Sequence, residues 1–163
     1  MHYTTILASS LSLLSLASAR IAGIQAPATL APGSSYDITI ITGRSYQPVS
    51  DISMAFGLVD PASQAHLNTL GTFLDAKTIG RENSNVGYNL SQQVTIPSSA
   101  AEGDAVLTAS LFSLHGPLST PMFTNFHLNV TITKQTTGVL ASTFDSVDSC
   151  MSASYMKRGR SSC

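Results

Sequence analysis

The chain has 163 residues, of which 43% are hydrophobic and only 10% are charged, and its formal net charge is −1. This composition excludes a chain that is disordered throughout, because such chains are poor in apolar residues and rich in charge. The near-neutral balance gives no support for a nucleic-acid partner or for attraction to an anionic membrane surface. The absence of tryptophan excludes a carbohydrate site built on exposed indole rings.

Residues 1–19 have the pattern of a secretory leader. An apolar run over residues 6–16 precedes a small-x-small sequence at residues 17–19, which is typical of a cleavage site. The apolar run is too short to span a bilayer. We therefore predict a secreted protein without membrane insertion, whose mature chain begins at Arg20.

Seven segments after the leader have the apolar pattern of β-strands. They alternate apolar and polar residues or are apolar on both faces, and turns containing Gly or Pro separate several of them. The segments are residues 20–27, 36–42, 51–59, 69–76, 86–96, 103–116 and 122–133. None of them has the periodicity of an amphipathic helix. The pattern predicts an all-β fold, an immunoglobulin-like β-sandwich of about seven strands.

The segment at residues 103–116, GDAVLTASLFSLHG, is the longest of the seven and is apolar on both faces. A strand of this kind is typical of the middle of a sheet that is covered on both sides. We therefore expect Leu107, which lies in the middle of this segment, to occupy the centre of the core.

The composition changes after about residue 134. Residues 139–163 contain seven serines, no proline and no strand-like alternation. This change predicts a β-sandwich domain over residues 20–134 and a Ser-rich flexible tail over residues 135–163.

Both cysteines and a dibasic pair lie in the predicted tail. Cys150 and Cys163 either pair with each other, remain free thiols or pair with another chain. In each case the domain is held by its apolar core alone. Lys157-Arg158 is either a processing site for a secretory-pathway protease or an ordinary basic patch.

The sequence offers no catalytic, cofactor-binding or metal site. His66, His115 and His127 show no metal-ligand spacing, and neither a Gly-x-Ser-x-Gly elbow nor a Gly-rich phosphate loop is present. We therefore predict no catalytic residue, no cofactor and no metal.

Two N-glycosylation sequons lie in predicted strands. They are Asn89-Leu90-Ser91 and Asn129-Val130-Thr131, and both asparagines fall on the outward faces of their strands. Each sequon is either glycosylated or one that has arisen by chance.

Several short motifs occur in an order that resembles one known family. They are RIAGI at residues 20–24, AFGL at residues 55–58, LGTFL at residues 70–74 and TIP at residues 95–97. Their order and the chain length resemble the fungal necrosis-inducing secreted protein family of plant-pathogen effectors.

The resemblance implies a function. Members of this family are secreted by plant-infecting fungi, trigger host cell death and suppress pattern-triggered immunity by binding and inhibiting receptor-like kinases and cytoplasmic immune kinases. It implies a non-enzymatic protein, which we expect to be a monomer, located in the plant apoplast or translocated into the host cytoplasm. Such a domain could bind a kinase by pairing an exposed edge strand with it, or through the loop at residues 60–68.

Two other functions compete with this interpretation. Secreted immunoglobulin-like domains with Ser-rich tails also occur as fungal cell-wall modules that bind glucan or chitin. The absence of tryptophan and the short, proline-free tail argue against such a module. A secreted enzyme is the third alternative, and no constellation of residues supports it.

Overall fold

The computed structural model describes residues 18–45, 48–59 and 69–143. The predictions for the leader, the loop at residues 60–68 and most of the tail therefore lie outside the described residues. Among them are four predicted site residues of the tail and one histidine of the loop: Cys150, Lys157, Arg158, Cys163 and His66.

The described residues form two β-sheets and one helical turn. The strands are β1 (Ser18–Pro27), β2 (Thr29–Leu30), β3 (Ser35–Ser45), β4 (Val49–Val59), β5 (Thr72–Thr78), β6 (Leu90–Thr95), β7 (Gly103–His115), β8 (Thr120–Ile132) and β9 (Leu140–Ser142), and α1 spans Gly80–Asn83. One sheet has the order β6-β3-β1-β9, and the other has the order β2-β8-β7-β4-β5. No helix in the described ranges is long and apolar enough to cross a membrane.

The core lies between the inward faces of the two sheets. Alternate residues of each strand point into it, because successive side chains of a β-strand point to opposite faces. The largest fully buried apolar side chains are Ile24, Leu30, Ile38, Ile40, Met54, Phe56, Ile96, Leu107 and Ile132. The sequence places these residues at the inward positions of its predicted strands or next to turns.

The predicted central strand is central in the structure. β7 lies between β4 and β8, with Leu107 opposite Leu58 on one side and Leu128 on the other. All three leucines are buried. The all-β class with two sheets is thereby confirmed, whereas the immunoglobulin-like topology stays a prediction.

Two strands in the described residues were not predicted. β2 has two residues and β9 has three, which is too short for an alternating pattern to be recognised. β2 runs parallel to β8, and β9 runs antiparallel to β1. The sequence therefore recognises the long strands and misses the short ones that complete the sheets.

Residues 139–143, which were predicted to lie in the tail, bond to the first strand and the residue after it. The backbone N–H of Ala28 donates to the Val139 carbonyl at 2.8 Å, and β9 then pairs with β1. At Ile24, the N–H donates to Thr143 Oγ1 at 2.9 Å and the carbonyl accepts from the Thr143 N–H at 3.0 Å. Thr143 is itself buried. The paired β-structure therefore reaches residue 143, while the boundary between domain and tail stays a prediction.

We expect a chain of residues 20–143 to be more stable than a chain of residues 20–138. The shorter chain lacks β9 and Thr143, so the buried N–H of Ile24 has no hydrogen-bond acceptor. A buried N–H group without an acceptor costs about 1–3 kcal/mol of stability. The expected difference in the free energy of unfolding is about 2 kcal/mol, measured by urea unfolding. Equal free energies of unfolding would show that residues 139–143 do not contribute to the stability of the domain. Thr143→Val, which replaces the hydroxyl with a methyl group of similar size, should reproduce part of the loss.

Candidate interaction surface

β7 and β8 form a long hairpin that dominates the five-stranded sheet. Each strand has 13 residues, and they pair without interruption from Gly103–Ile132 to His115–Thr120. The turn between them contains Gly116 and Ser119, both at positive φ. β7 is paired with β8 on one side and with β4 on the other. Of the two hairpin strands, only β8 can therefore have an unpaired edge.

The outer edge of β8 is open along most of its length. Its second neighbour, β2, pairs only with Thr131 and Ile132. Over residues 120–129 no strand of the described chain pairs with this side of β8. We call residues 120–129 the open edge. Unpaired N–H and C=O groups on an edge strand can pair with a strand of another protein.

Apolar side chains are exposed on and beside the open edge. Phe123 is 72% exposed, and Met122 is exposed on the opposite face of the strand. The Phe123 ring stacks in a tilted arrangement against Phe112 of β7, with ring centroids 5.1 Å apart. Leu118 in the turn is 90% exposed. These side chains give the end of the hairpin an apolar surface, a common mark of a protein interaction site.

Beyond Asp104 at the start of β7, the hairpin carries no formal charge. Residues 105–132 include no Asp, Glu, Lys or Arg. Proteins usually protect edge strands with charged side chains or prolines, which discourage pairing. The open edge has only Pro121, near its beginning. Its chemistry therefore favours pairing with another extended chain.

The opposite edge of the same sheet is different. β5 forms this edge, and Phe73 on it is 61% exposed. However, β5 carries Asp75 and Lys77, and Asp75 Oδ2 accepts a hydrogen bond from Gln92 Nε2 of β6 at 2.7 Å. This edge is charged and tied to the other sheet, so it provides a natural control for the open edge.

Both sequon asparagines are exposed; Asn129 lies on β8, whereas Asn89 directly precedes β6 rather than lying within it. Asn129 lies at the end of the open edge, beside a cleft of about 450 Å³. Asn89 Oδ1 accepts a hydrogen bond from the Thr42 N–H at 3.1 Å, where the pairing of β3 with β6 ends. Glycosylation of either residue stays a prediction. A glycan on Asn129 would be attached to the last residue of the open edge.

A serine–histidine contact that sequence reasoning missed lies at the end of β7. Ser113 Oγ is 3.0 Å from His115 Nε2, because residues two apart on a strand share a face. Ser113 is only 1% exposed, so its hydroxyl is closed to a substrate and the contact is structural. His127 is exposed on β8. The described residues contain no group of three or more His, Cys, Asp or Glu side chains that could hold a metal ion.

Comparison with known families identifies the chain. The Nis1 family profile matches residues 17–133, which is most of the chain. The protein belongs to the Nis1 family. The resemblance noted in the sequence is thereby confirmed, and the matched range includes the whole open edge.

Two Nis1 relatives come from Colletotrichum fungi, and both are named "Necrosis-inducing secreted protein 1". The protein of C. orbiculare is 43% identical over 136 residues, which cover 83% of each chain. That of C. higginsianum is 38% identical over 132 residues, which cover 81% of this chain and 91% of the relative. This Nis1 protein is therefore secreted, as predicted from the sequence.

Comparison with solved structures finds a superoxide reductase (neelaredoxin) from Ignicoccus hospitalis. Its sequence is 10% identical, its TM-score is 0.39, and the match covers 71% of the Nis1 chain and 80% of the reductase. A likeness this weak gives no information about the activity of the Nis1 protein.

Proposed function

We propose that this protein is a secreted effector that induces plant cell death and suppresses pattern-triggered immunity by binding and inhibiting host receptor-like and cytoplasmic immune kinases. The name shared by the two Colletotrichum relatives supports the first part. The family resemblance supports the second. The apoplast is its first location, and its kinase targets require that part of it acts inside the host cell.

The open edge is the observation that supports a specific mode of binding. A kinase segment in extended conformation adds to β8 as a further strand, and main-chain hydrogen bonds provide most of the affinity. Phe123 and Met122, exposed on opposite faces of the strand, contact side chains on either side of the added segment. Such binding requires no charged contacts, in agreement with the uncharged sequence of the open edge.

The protein acts by occupancy rather than by turnover. Inhibition of a plant immune co-receptor kinase domain should saturate near one equivalent when both proteins are well above the dissociation constant. It should reverse on dilution and leave the kinase mass unchanged. Inactivation of a large excess of kinase by a trace of the protein would instead identify an enzyme.

We expect Phe123→Asp to weaken kinase binding at least tenfold, which corresponds to about 1.4 kcal/mol. The substitution places a charge on the open edge and removes an apolar contact. Phe73→Asp is the matched control, because it makes the same change at an exposed position on the opposite edge of the same sheet. Binding of both variants is measured by titration calorimetry, and their melting temperatures show that they are folded.

Two outcomes would contradict the proposed mode of binding. If Phe73→Asp weakens binding as much as Phe123→Asp, the open edge is not the contact. If neither kinase binding nor inhibition is found and the protein sediments with insoluble glucan or chitin, a cell-wall module replaces the effector.

A further inference from the structure

Asp51 is a buried carboxylate whose hydrogen-bonding capacity is largely unused. It lies on β4, where the five-stranded sheet meets β1, and it is only 2% exposed. Its Oδ2 accepts a hydrogen bond from the Ile21 N–H at 3.1 Å, while Oδ1 has no partner among the described residues. A carboxylate can accept about four hydrogen bonds. Because buried charges are normally paired, this site calls for a cationic donor.

The neighbouring charged side chains do not fill this role. Burial raises the pKa of Asp51, while the Ile21 N–H, His115 of β7 and Arg20 of β1 act in the opposite direction. Neither His115 nor Arg20 donates to Oδ1: the His115 Nε2 contacts Ser113, and the Arg20 side chain is exposed. The other polar neighbour, Ser84, bonds to the backbone N–H of Asp51.

The backbone nitrogen of Arg20 lies within roughly 7 Å of Asp51 Oδ2, because it neighbours the Ile21 nitrogen that donates to this oxygen. It is three covalent bonds from the Ile21 nitrogen, which corresponds to roughly 3.7 Å at most. Arg20, Ile21 and Asp51 line the same cleft, which has a volume of about 240 Å³. The cleft as a whole therefore has room for an ammonium group.

We propose that Asp51 is the binding site for the α-ammonium group of Arg20 that removal of the leader creates. Hydrolysis of the Ala19–Arg20 peptide bond by the leader peptidase consumes one water, leaving a carboxylate on Ala19 and an ammonium on Arg20. Before cleavage the Arg20 nitrogen is an amide within β1, where Arg20 pairs with Gly43 of β3. Neighbouring N–H groups of a strand point to opposite edges, so this amide points away from Asp51.

After cleavage the nitrogen gains a positive charge and three donors, and no preceding residue holds it. Rotation about the Cα–C bond of Arg20 then brings it to Oδ1 of Asp51. Removal of the leader therefore satisfies the buried carboxylate and tightens the contact between the two sheets. This inference concerns maturation and is independent of the kinase partner.

The test compares two forms of the mature chain, residues 20–163, that differ only in Nα-acetylation. Acetylation should lower the melting temperature at pH 6.5 by about 4 °C, the shift expected for a change of about 1 kcal/mol in a domain of this size. Pairing raises the pKa of the α-amine above its ordinary 7.7–8.0. The stabilisation is thus complete below this range and is lost as the pH rises through the raised pKa. The difference between the two forms should therefore vanish near pH 11.

Two controls separate this pairing from a general charge effect. Acetylation should leave the melting temperature of Asp51→Asn unchanged. A chain that begins at Ala19 keeps a free ammonium but displaces it by one residue, and it should melt like the acetylated form. The proposal is overturned if acetylation has no effect on the natural sequence, or if the chain beginning at Ala19 melts like the one beginning at Arg20. The second comparison remains decisive if Asp51→Asn does not fold.

Discussion

Leu107→Ala is expected to lower the free energy of unfolding by about 2–5 kcal/mol, through lost burial and the cavity left behind. Leu107 is completely buried. It lies on the central strand of the five-stranded sheet, between Leu58 of β4 and Leu128 of β8. Because both neighbours belong to paired strands, the surroundings cannot collapse freely into the space, and the loss should fall in the upper part of this range.

Leu118→Ala is the matched control for this prediction. It makes the same chemical change in the turn of the same hairpin, where Leu118 is 90% exposed. Its stability should lie within about 0.5 kcal/mol of the parent, as is usual for surface substitutions. Both variants are compared by urea unfolding with a common slope. If Leu107→Ala is as stable as Leu118→Ala, the core does not lie where the structure places it.

The inward faces of the strands could be predicted because they follow from a local rule. Side chains alternate along a strand, so the apolar positions of residues 36–42 and 51–59 identify their buried faces without knowledge of the partner strand. Glycines and prolines mark the turns in the same local way. Consequently, the long strands and Leu107 at the centre of the core were found from the sequence.

The open edge could not be predicted, because an edge is defined by the lack of a neighbouring strand and not by the sequence of the strand itself. The uncharged sequence of residues 105–132 is visible in the chain, but it is also typical of a strand with neighbours on both sides. What makes residues 120–129 an edge is that β2 ends after two pairs. The length of that pairing is a property of the tertiary structure.

The Asp51 site was missed for a similar reason. Asp51 stands at the beginning of a predicted strand, where an acidic residue is usually solvated. It is buried because β1 of the other sheet passes over it, and its contact with Ile21 joins residues 30 positions apart. By contrast, the Ser113–His115 contact has a local signal, the Ser-x-His spacing on one strand, that could have revealed it.

Gly57 marks a close approach within the five-stranded sheet. It lies on β4 where the register with β5 shifts between Phe56 and Gly57. A Cβ atom added to Gly57 would lie 2.1 Å from the carbonyl oxygen of Leu70 and 2.7 Å from its Cγ. This carbonyl also accepts a hydrogen bond from Thr108 Oγ1 at 2.5 Å. The segment around Leu70 thus lies against adjacent positions of β4 and β7, since Gly57 and Thr108 are paired.

Gly57→Ala should therefore destabilise the domain by about 3 kcal/mol, near the upper end of typical overpacking costs. The methyl group must push the Leu70 backbone away, which also breaks the hydrogen bond to Thr108. Gly87→Ala is the control, since a Cβ there meets no atom within 4 Å. It should be neutral or slightly stabilising, because alanine reduces the freedom of the unfolded chain. Equal unfolding free energies for the two variants in urea would show that Leu70 is not packed on Gly57. If only Gly57→Ala lowers the free energy of unfolding, the contact between Gly57 and Leu70 holds the Leu70 segment against the sheet.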